Sequence, residues 1–266
     1  MAPPRGERMS VRRKIAVATW RPSRDGRLYG RVELDATAGL AYVDQQRRVT
    51  GVPVSLTHLV GKAVATAQAE VPETCCRVAF GRIVPFPSID VSFAVDVDGG
   101  ADLGPVKVHG ADAKSVAQIA AEVTERADRL RRRADPNFER SEGWARRIPM
   151  PLLRPTLAGA SVLLGGLGWP ALGQPGFPLG SALVSGVSRF GLDEGYMAPV
   201  PFARAALYVL VGGVRDVPMA VDGRVVVRPR VVVTATVDHR LVDGAHAGAM
   251  ARVLRRVLEH PESLAG

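Results

Sequence analysis

Apolar positions recur along the chain in two periods, and their order sets out most of the elements. Leu28 to Asp35 alternates apolar and polar residues like a strand with one buried face, and a helical stretch follows through Arg48. Ser55-Leu56-Thr57-His58 opens a second helix, with Leu59, Val60, Ala63, Val64 and Ala67 on its apolar side. Ser88 to Val97 alternates again, Asp98-Gly99-Gly100 reads as a turn, and Leu103 to Val108 runs back. From Ser115 to Arg133 the spacing of Val116, Ile119, Ala120, Val123, Ala127 and Leu130 predicts an amphipathic helix with its charges opposite. Val221-Asp222-Gly223-Arg224 is a type I′ hairpin signal. After it, Arg-Val-Val-Val-Thr-Ala-Thr-Val at 230 to 237 has the uninterrupted β-branched character of a strand buried on both faces, and 245 to 258 returns to helical spacing.

The length, 266 residues with 47% hydrophobic content and no low-complexity tract, suits one large globular α/β unit, and no internal repeat is visible. Cys75 and Cys76 are adjacent, so they do not readily pair with each other. With no Cys-x-x-Cys and no secretory signal, the expected compartment is the reducing cytoplasm. The formal charge of +9 favours anionic ligands. Its basic runs, Arg12-Arg13-Lys14, Arg126 to Arg133, Arg146-Arg147 and Arg252 to Arg256, lack interleaved aromatics, and no nucleic-acid-reading motif accompanies them; they read as solvated faces. Pro155 to Leu172 carries no charge, yet it holds four glycines and two prolines. One or two short apolar helices are expected there, packing on the domain, covering a substrate entrance or touching a membrane surface, in preference to a transmembrane span.

The candidate chemistry lies where the last strand gives way to the last helix. An imidazole at His239, fixed by the strand end, with Asp243 one turn on and Gly244 permitting the bend, has the geometry of a positioned general base. The same pair also occurs as a structural hydrogen bond at a turn. His239, Asp243 and His246 raise the thought of a metal, but no thiolate or fourth ligand has suitable spacing. No metal is expected, and His246 reads as a solvated helix residue.

Asp238-His239-Arg240-Leu241-Val242-Asp243-Gly244 fits the pattern Asp-His-Arg-x-x-Asp-Gly at every fixed position. It resembles the active-site signature of the catalytic domain of 2-oxoacid dehydrogenase E2 components, the dihydrolipoamide acyltransferases, whose fold is shared with chloramphenicol acetyltransferase. Gly180 to Gly191 resembles the family's second motif, with Ser185 on its oxyanion-donor serine, Gly186 in place of the usual asparagine and Ser188 in place of a glycine. Taken as a residue alone, Ser185 reads equally well as an ordinary strand hydroxyl.

The resemblance spans about residues 12 to 134 and 179 to 264. Between them, roughly 137 to 178 is an apolar insertion that the usual domain lacks. The resemblance implies one α/β domain of the two-layer α+β kind, a chloramphenicol acetyltransferase-like mixed sheet with packed helices, over residues 12–266 after a flexible N-terminus at 1–11. It implies acyl transfer between coenzyme A and a thiol acceptor such as dihydrolipoamide, with His239 as base and Ser185 as oxyanion donor. Asp243 would order the loop by pairing with an arginine, Arg240 being the candidate, and Gly244 would be structural. Coenzyme A enters as substrate, and its phosphates suit the basic surface. No lipoyl domain is visible, so a lipoyl group would come in trans, from a lipoyl-domain protein or other dehydrogenase components. A homotrimer with its sites between subunits is implied. The alternatives are a non-catalytic trimeric scaffold and a membrane-surface-associated relative organised by the insertion.

Overall fold

The β-branched run at 230 to 237 is the spine of the sheet. In the computed structural model, which describes residues 26–97, 99 and 103–264, it forms the C-terminal part of β9 (Arg224–Asp238). β1 (Arg27–Asp35) lies antiparallel along one side of it, and β7 (Leu207–Val211) antiparallel along the other. Beyond β7 come β6 (Ala182–Gly186) and β4 (Val91–Asp96), both parallel to it, and then β5 (Leu103–Val108), antiparallel to β4. The order β1-β9-β7-β6-β4-β5 is the mixed sheet expected, and β8 (Arg215–Val221) completes its seven strands by pairing with the start of β9. Asp222 and Gly223 both have positive φ, at 49° and 74°, as a type I′ turn requires.

Alternation along each strand decides which side chains meet the helices. Val231, Val233 and Val237 of β9 share one core with Leu207 and Val209 of β7, Val184 of β6 and Phe93 of β4. Over that face lie α1 (Thr37–Thr50), α2 (Leu56–Glu70), α3 (Val116–Arg131) and α6 (Gly244–Glu259), whose apolar stripes supply the other half of the core. All six apolar positions predicted for α3 are buried. The approach of α2 to β4 is close: a Cβ on Gly61 would stand 2.2 Å from Cζ of Phe93. Leu183 and Tyr208 point to the opposite face, into a smaller cluster with Leu179, Ala203 and Ala205.

A short hairpin of β2 (Cys76–Ala79) and β3 (Arg82–Pro85), which the periodicity does not announce, stands apart from the main sheet. The insertion folds as α4 (Pro136–Arg147), α5 (Met150–Ser161) and a π-helical turn over Val162–Leu167. It packs on the domain: Leu153, Ala160 and Leu164 are buried, and the Lys107 ammonium donates to the carbonyls of Gly176 and Phe177 at 3.1 and 2.8 Å. Among the described residues, Met150–Leu167 is long and apolar enough to cross a membrane by length and composition.

Arginines of the basic runs pair along their own helices, Arg126 with Glu122, Arg129 with Glu125 and Arg255 with Glu259. Such surface pairs contribute little to stability. The expected flexible segment 1–11, the Arg12-Arg13-Lys14 run, and Asp98 and Gly100 of the expected turn lie outside the described residues.

Candidate active site

The ladder of β9 runs one residue past the strand. The amide of Asp238 donates to the carbonyl of Ala206, and that of His239 to the carbonyl of Gly26. The chain then turns sharply, with the amides of Leu241 and Val242 both donating to the Asp238 carbonyl at 3.0 Å. This turn brings His239 Nδ1 to 2.9 Å from the carbonyl oxygen of Val242. A carbonyl only accepts, so in the neutral imidazole the proton sits on Nδ1 and the lone pair on Nε2. His239 is exposed, and Nε2 is the atom left to take a proton.

Asp243 anchors the helix after the turn. As N-cap of α6, its carboxylate accepts from the amides of Ala245 at 2.9 Å and His246 at 3.1 Å, while the His246 ring accepts from the Asp243 amide. The bond from the His246 amide leads the effects that hold the Asp243 carboxyl below the usual range. The cap fixes the peptide unit whose carbonyl orients His239, so Asp243 acts on the His239 ring through Val242.

Three expectations are corrected here. Asp243 engages helix amides, and Arg240 instead lies across the turn in a two-pronged pair with Asp238, Nε at 2.9 Å and Nη2 at 2.6 Å. Burial pushes the Asp238 carboxyl up, but the Arg240 side chain and amide, with the charges of Arg240 and Arg27, together hold it below its ordinary value. Gly244 is the first residue of α6, without positive φ, and a Cβ there would meet nothing within 4 Å, so the bend does not require glycine. His246 is half-buried and belongs to the helix cap, where it lies 3.0 Å from the Asp243 carboxylate. Among the described residues, no three His, Cys, Asp or Glu side chains are arranged to hold a metal ion.

Ser185 does not meet His239 within one chain. Sheet register puts Ser185 opposite Leu210 of β7, and Leu210 opposite Thr234 of β9. His239 lies five residues beyond Thr234 and two strands away from Ser185, so the two Cα atoms are separated by roughly 19 Å. The histidine is at one end of the sheet and the serine at the other. Ser185 shares the sheet face of Leu183, away from the four helices, and is half-buried. Next to it Gly186 is crowded: a Cβ there would lie 2.6 Å from Oγ1 of Thr57 at the start of α2, so that hydroxyl would have to shift.

A family model for the 2-oxoacid dehydrogenases acyltransferase catalytic domain matches residues 10–139 and 180–265. The chain belongs to this family. It is 22% identical over 231 residues to the dihydrolipoyllysine-residue acetyltransferase component of the pyruvate dehydrogenase complex of Zymomonas mobilis, covering 86% of this chain and 43% of that protein. The chain thus spans less than half the length of this curated relative. The dihydrolipoamide acetyltransferase of Azotobacter vinelandii superposes with a TM-score of 0.66 at 18% identity, over 97% of this chain and 88% of that one. Its structural and enzymatic study concerned a serine, a histidine and, four positions after the histidine, an asparagine in catalysis. A chloramphenicol acetyltransferase superposes with a TM-score of 0.52 at 14% identity, over 94% and 96% of the two chains, so the fold is the one expected.

The gap in the family match, 140–179, coincides with the apolar insertion. Two residues beside the His239 turn carry no sequence signal. Arg27, the register partner of Asp238, is brought in by β1, and Arg204 by the segment before β7. Neither has a fixed spacing to the motif, and only the folded sheet places them there.

Proposed function

We propose that the protein is an acyltransferase of the dihydrolipoamide type, exchanging an acyl group between coenzyme A and a dithiol acceptor at a site shared by two copies of the chain. One observation carries this reading: the Nδ1 contact to Val242 leaves His239 Nε2 as an exposed base at the end of a rigid strand. In the forward step Nε2 takes the proton of the attacking thiol as sulfur adds to the thioester carbonyl. The tetrahedral oxyanion then collapses, the original carbon–sulfur bond breaks, and the same proton returns to the leaving thiolate. The acyl group moves and no electron count changes.

The oxyanion needs a donor, and a hydroxyl such as that of Ser185 is worth on the order of 3 kcal/mol to the transition state. A separation of roughly 19 Å excludes this role within one chain, so the Ser185 that serves His239 belongs to a neighbouring copy. A closed ring satisfies every such site at once, and a homotrimer is the ring the family likeness favours. Lipoyl groups would reach the site from a separate domain or protein.

The test is acyl transfer from a panel of acyl-CoA donors to free dihydrolipoamide, with wild type beside His239→Ala. Turnover lost in a folded variant is the expected result. Wild-type turnover in His239→Ala would end the assignment of the base.

A further inference from the structure

On the sheet face away from the four helices, against the backbone of the His239 turn, lies a cleft of about 400 Å³. Its walls come from the start of β1, the end of β9, the β2–β3 hairpin, the segment before β7 and the insertion. Arg27, Arg204 and Arg240 line it, and Asp238 supplies the one carboxylate among the lining residues. The cleft is therefore formally positive, three charges against one.

Arg204 is the centre of it. Its backbone is held at a φ of 55°, a conformation rare for a side chain of this size. The guanidinium donates from Nε to Oγ of Ser161 at 3.3 Å and from Nη1 to the Val78 carbonyl at 3.2 Å, both neutral acceptors. Burial and the neighbouring Arg240 charge together lower its pKa, so the positive charge is disfavoured where it stands. The stem lies against Gly165 in the π-helical turn: a Cβ on that glycine would stand 2.9 Å from both Cγ and Cδ of Arg204. The insertion thus contributes an acceptor and a clearance to one side chain of the cleft. π-helical turns and positive-φ residues gather at functional sites. Here both bear on the same arginine. A role confined to tying down the hairpin carbonyl would be served by a neutral donor and needs no second guanidinium nearby.

We infer that this cleft binds an anionic group of the substrate, a carboxylate or a phosphate, on Arg204 with Arg240 and Arg27 beside it, and that the insertion serves to position Arg204. This rests on the acyltransferase reading only for what the anion is attached to. A thioester reacting at His239 could set in the cleft either a phosphate of the coenzyme or a carboxylate at the far end of its acyl chain.

The experiment uses the whole chain, as wild type, Arg204→Met and Ser161→Ala, each checked for an unchanged fold by circular dichroism. Calorimetric titrations with coenzyme A and with inorganic pyrophosphate give affinities. Turnover of succinyl-CoA against neutral butyryl-CoA gives the preference for an acyl carboxylate. For a phosphate ligand, Arg204→Met weakens coenzyme A and pyrophosphate by about tenfold or more, and Ser161→Ala weakens them less. For an acyl carboxylate, coenzyme A affinity holds and the succinyl-over-butyryl preference falls by a similar factor. Unchanged affinities and an unchanged preference in folded Arg204→Met overturn the inference. Binding needs no turnover, so Arg204-dependent binding without acyl transfer would sink the reaction and leave the site standing.

Discussion

A site divided between copies makes a quantitative prediction for mixtures of two crippled chains. His239→Ala keeps Ser185, and Ser185→Ala keeps His239, so each variant assembled alone lacks one half of every site. If the two are coexpressed with different tags and mixed assemblies form at random from equal amounts, a site is whole only when a Ser185→Ala chain supplies the histidine and a His239→Ala chain the serine. In any closed ring that happens at about one site in four, so the mixture recovers about 25% of wild-type turnover. The background is low, because loss of an oxyanion donor costs about 100- to 1,000-fold and loss of the base costs more. The assay is acyl transfer to dihydrolipoamide at fixed total protein, with each variant alone as reference. The figure does not depend on ring size, only on the histidine and serine coming from different chains, as the proposed shared site requires. A mixture that stays at the mean of the two variants refutes the shared site, and with it the role of Ser185.

Other elements yield tests of their own. Asp243→Asn retains an acceptor for the Ala245 and His246 amides and should keep melting temperature and turnover, whereas Asp243→Ala should lose both; equal loss in the two would point to an ion pair in place of the cap. The half-buried His58 ring accepts from the Ser55 amide at 3.1 Å, and burial lowers its pKa to about 4. The unfolded chain then binds a proton that the folded one does not between pH 6.5 and 4, so stability should fall across that window as pH drops, by up to about 3 kcal/mol. Urea unfolding of wild type and His58→Gln checks this, since the variant should lose the His58 share of the pH dependence. Gly61→Ala, which drives a methyl into the Phe93 ring, should cost about 1–3 kcal/mol in the same assay.

How much was legible in the sequence depended on how locally each feature was encoded. The stripe of α3, the Asp-Gly hairpin and the β-branched run of β9 announce themselves because each rests on neighbours within a few residues. The start of β9 was hidden by Pro229, which removes a donor and reads as a strand boundary, yet sits here opposite Asp216. The β2–β3 hairpin was hidden by its turn. Phe80 and Gly81 both take positive φ, at 52° and 73°, and a phenylalanine in the first of these positions is not a turn signal. At the candidate site the motif marks His239 and the helix cap at Asp243. The distance from His239 to Ser185 is a property of register across three strands, which no spacing along the chain encodes.

The insertion shows the limit most sharply, and it also allows a last test. Its long helix is apolar on both sides, with Leu153, Ala160 and Leu164 buried while Leu152, Leu163 and Leu167 are exposed, so periodicity alone cannot say which face meets the domain. Its contribution to the cleft comes instead from a serine and a glycine that the apolar pattern passes over. Gly165 faces the Arg204 stem and the Phe202 carbonyl, each 2.9 Å from a Cβ placed there, whereas a Cβ on Gly159 of the same helix meets nothing within 4 Å. A methyl at 165 must therefore displace the stem and swing the guanidinium away from Ser161, and a methyl at 159 has nothing to displace. Gly165→Ala should weaken whichever anion Arg204→Met weakens, in the same direction and by less, with Gly159→Ala at the wild-type value. Equal affinities in the two glycine variants would mean that the insertion does not place the arginine, even if the arginine binds.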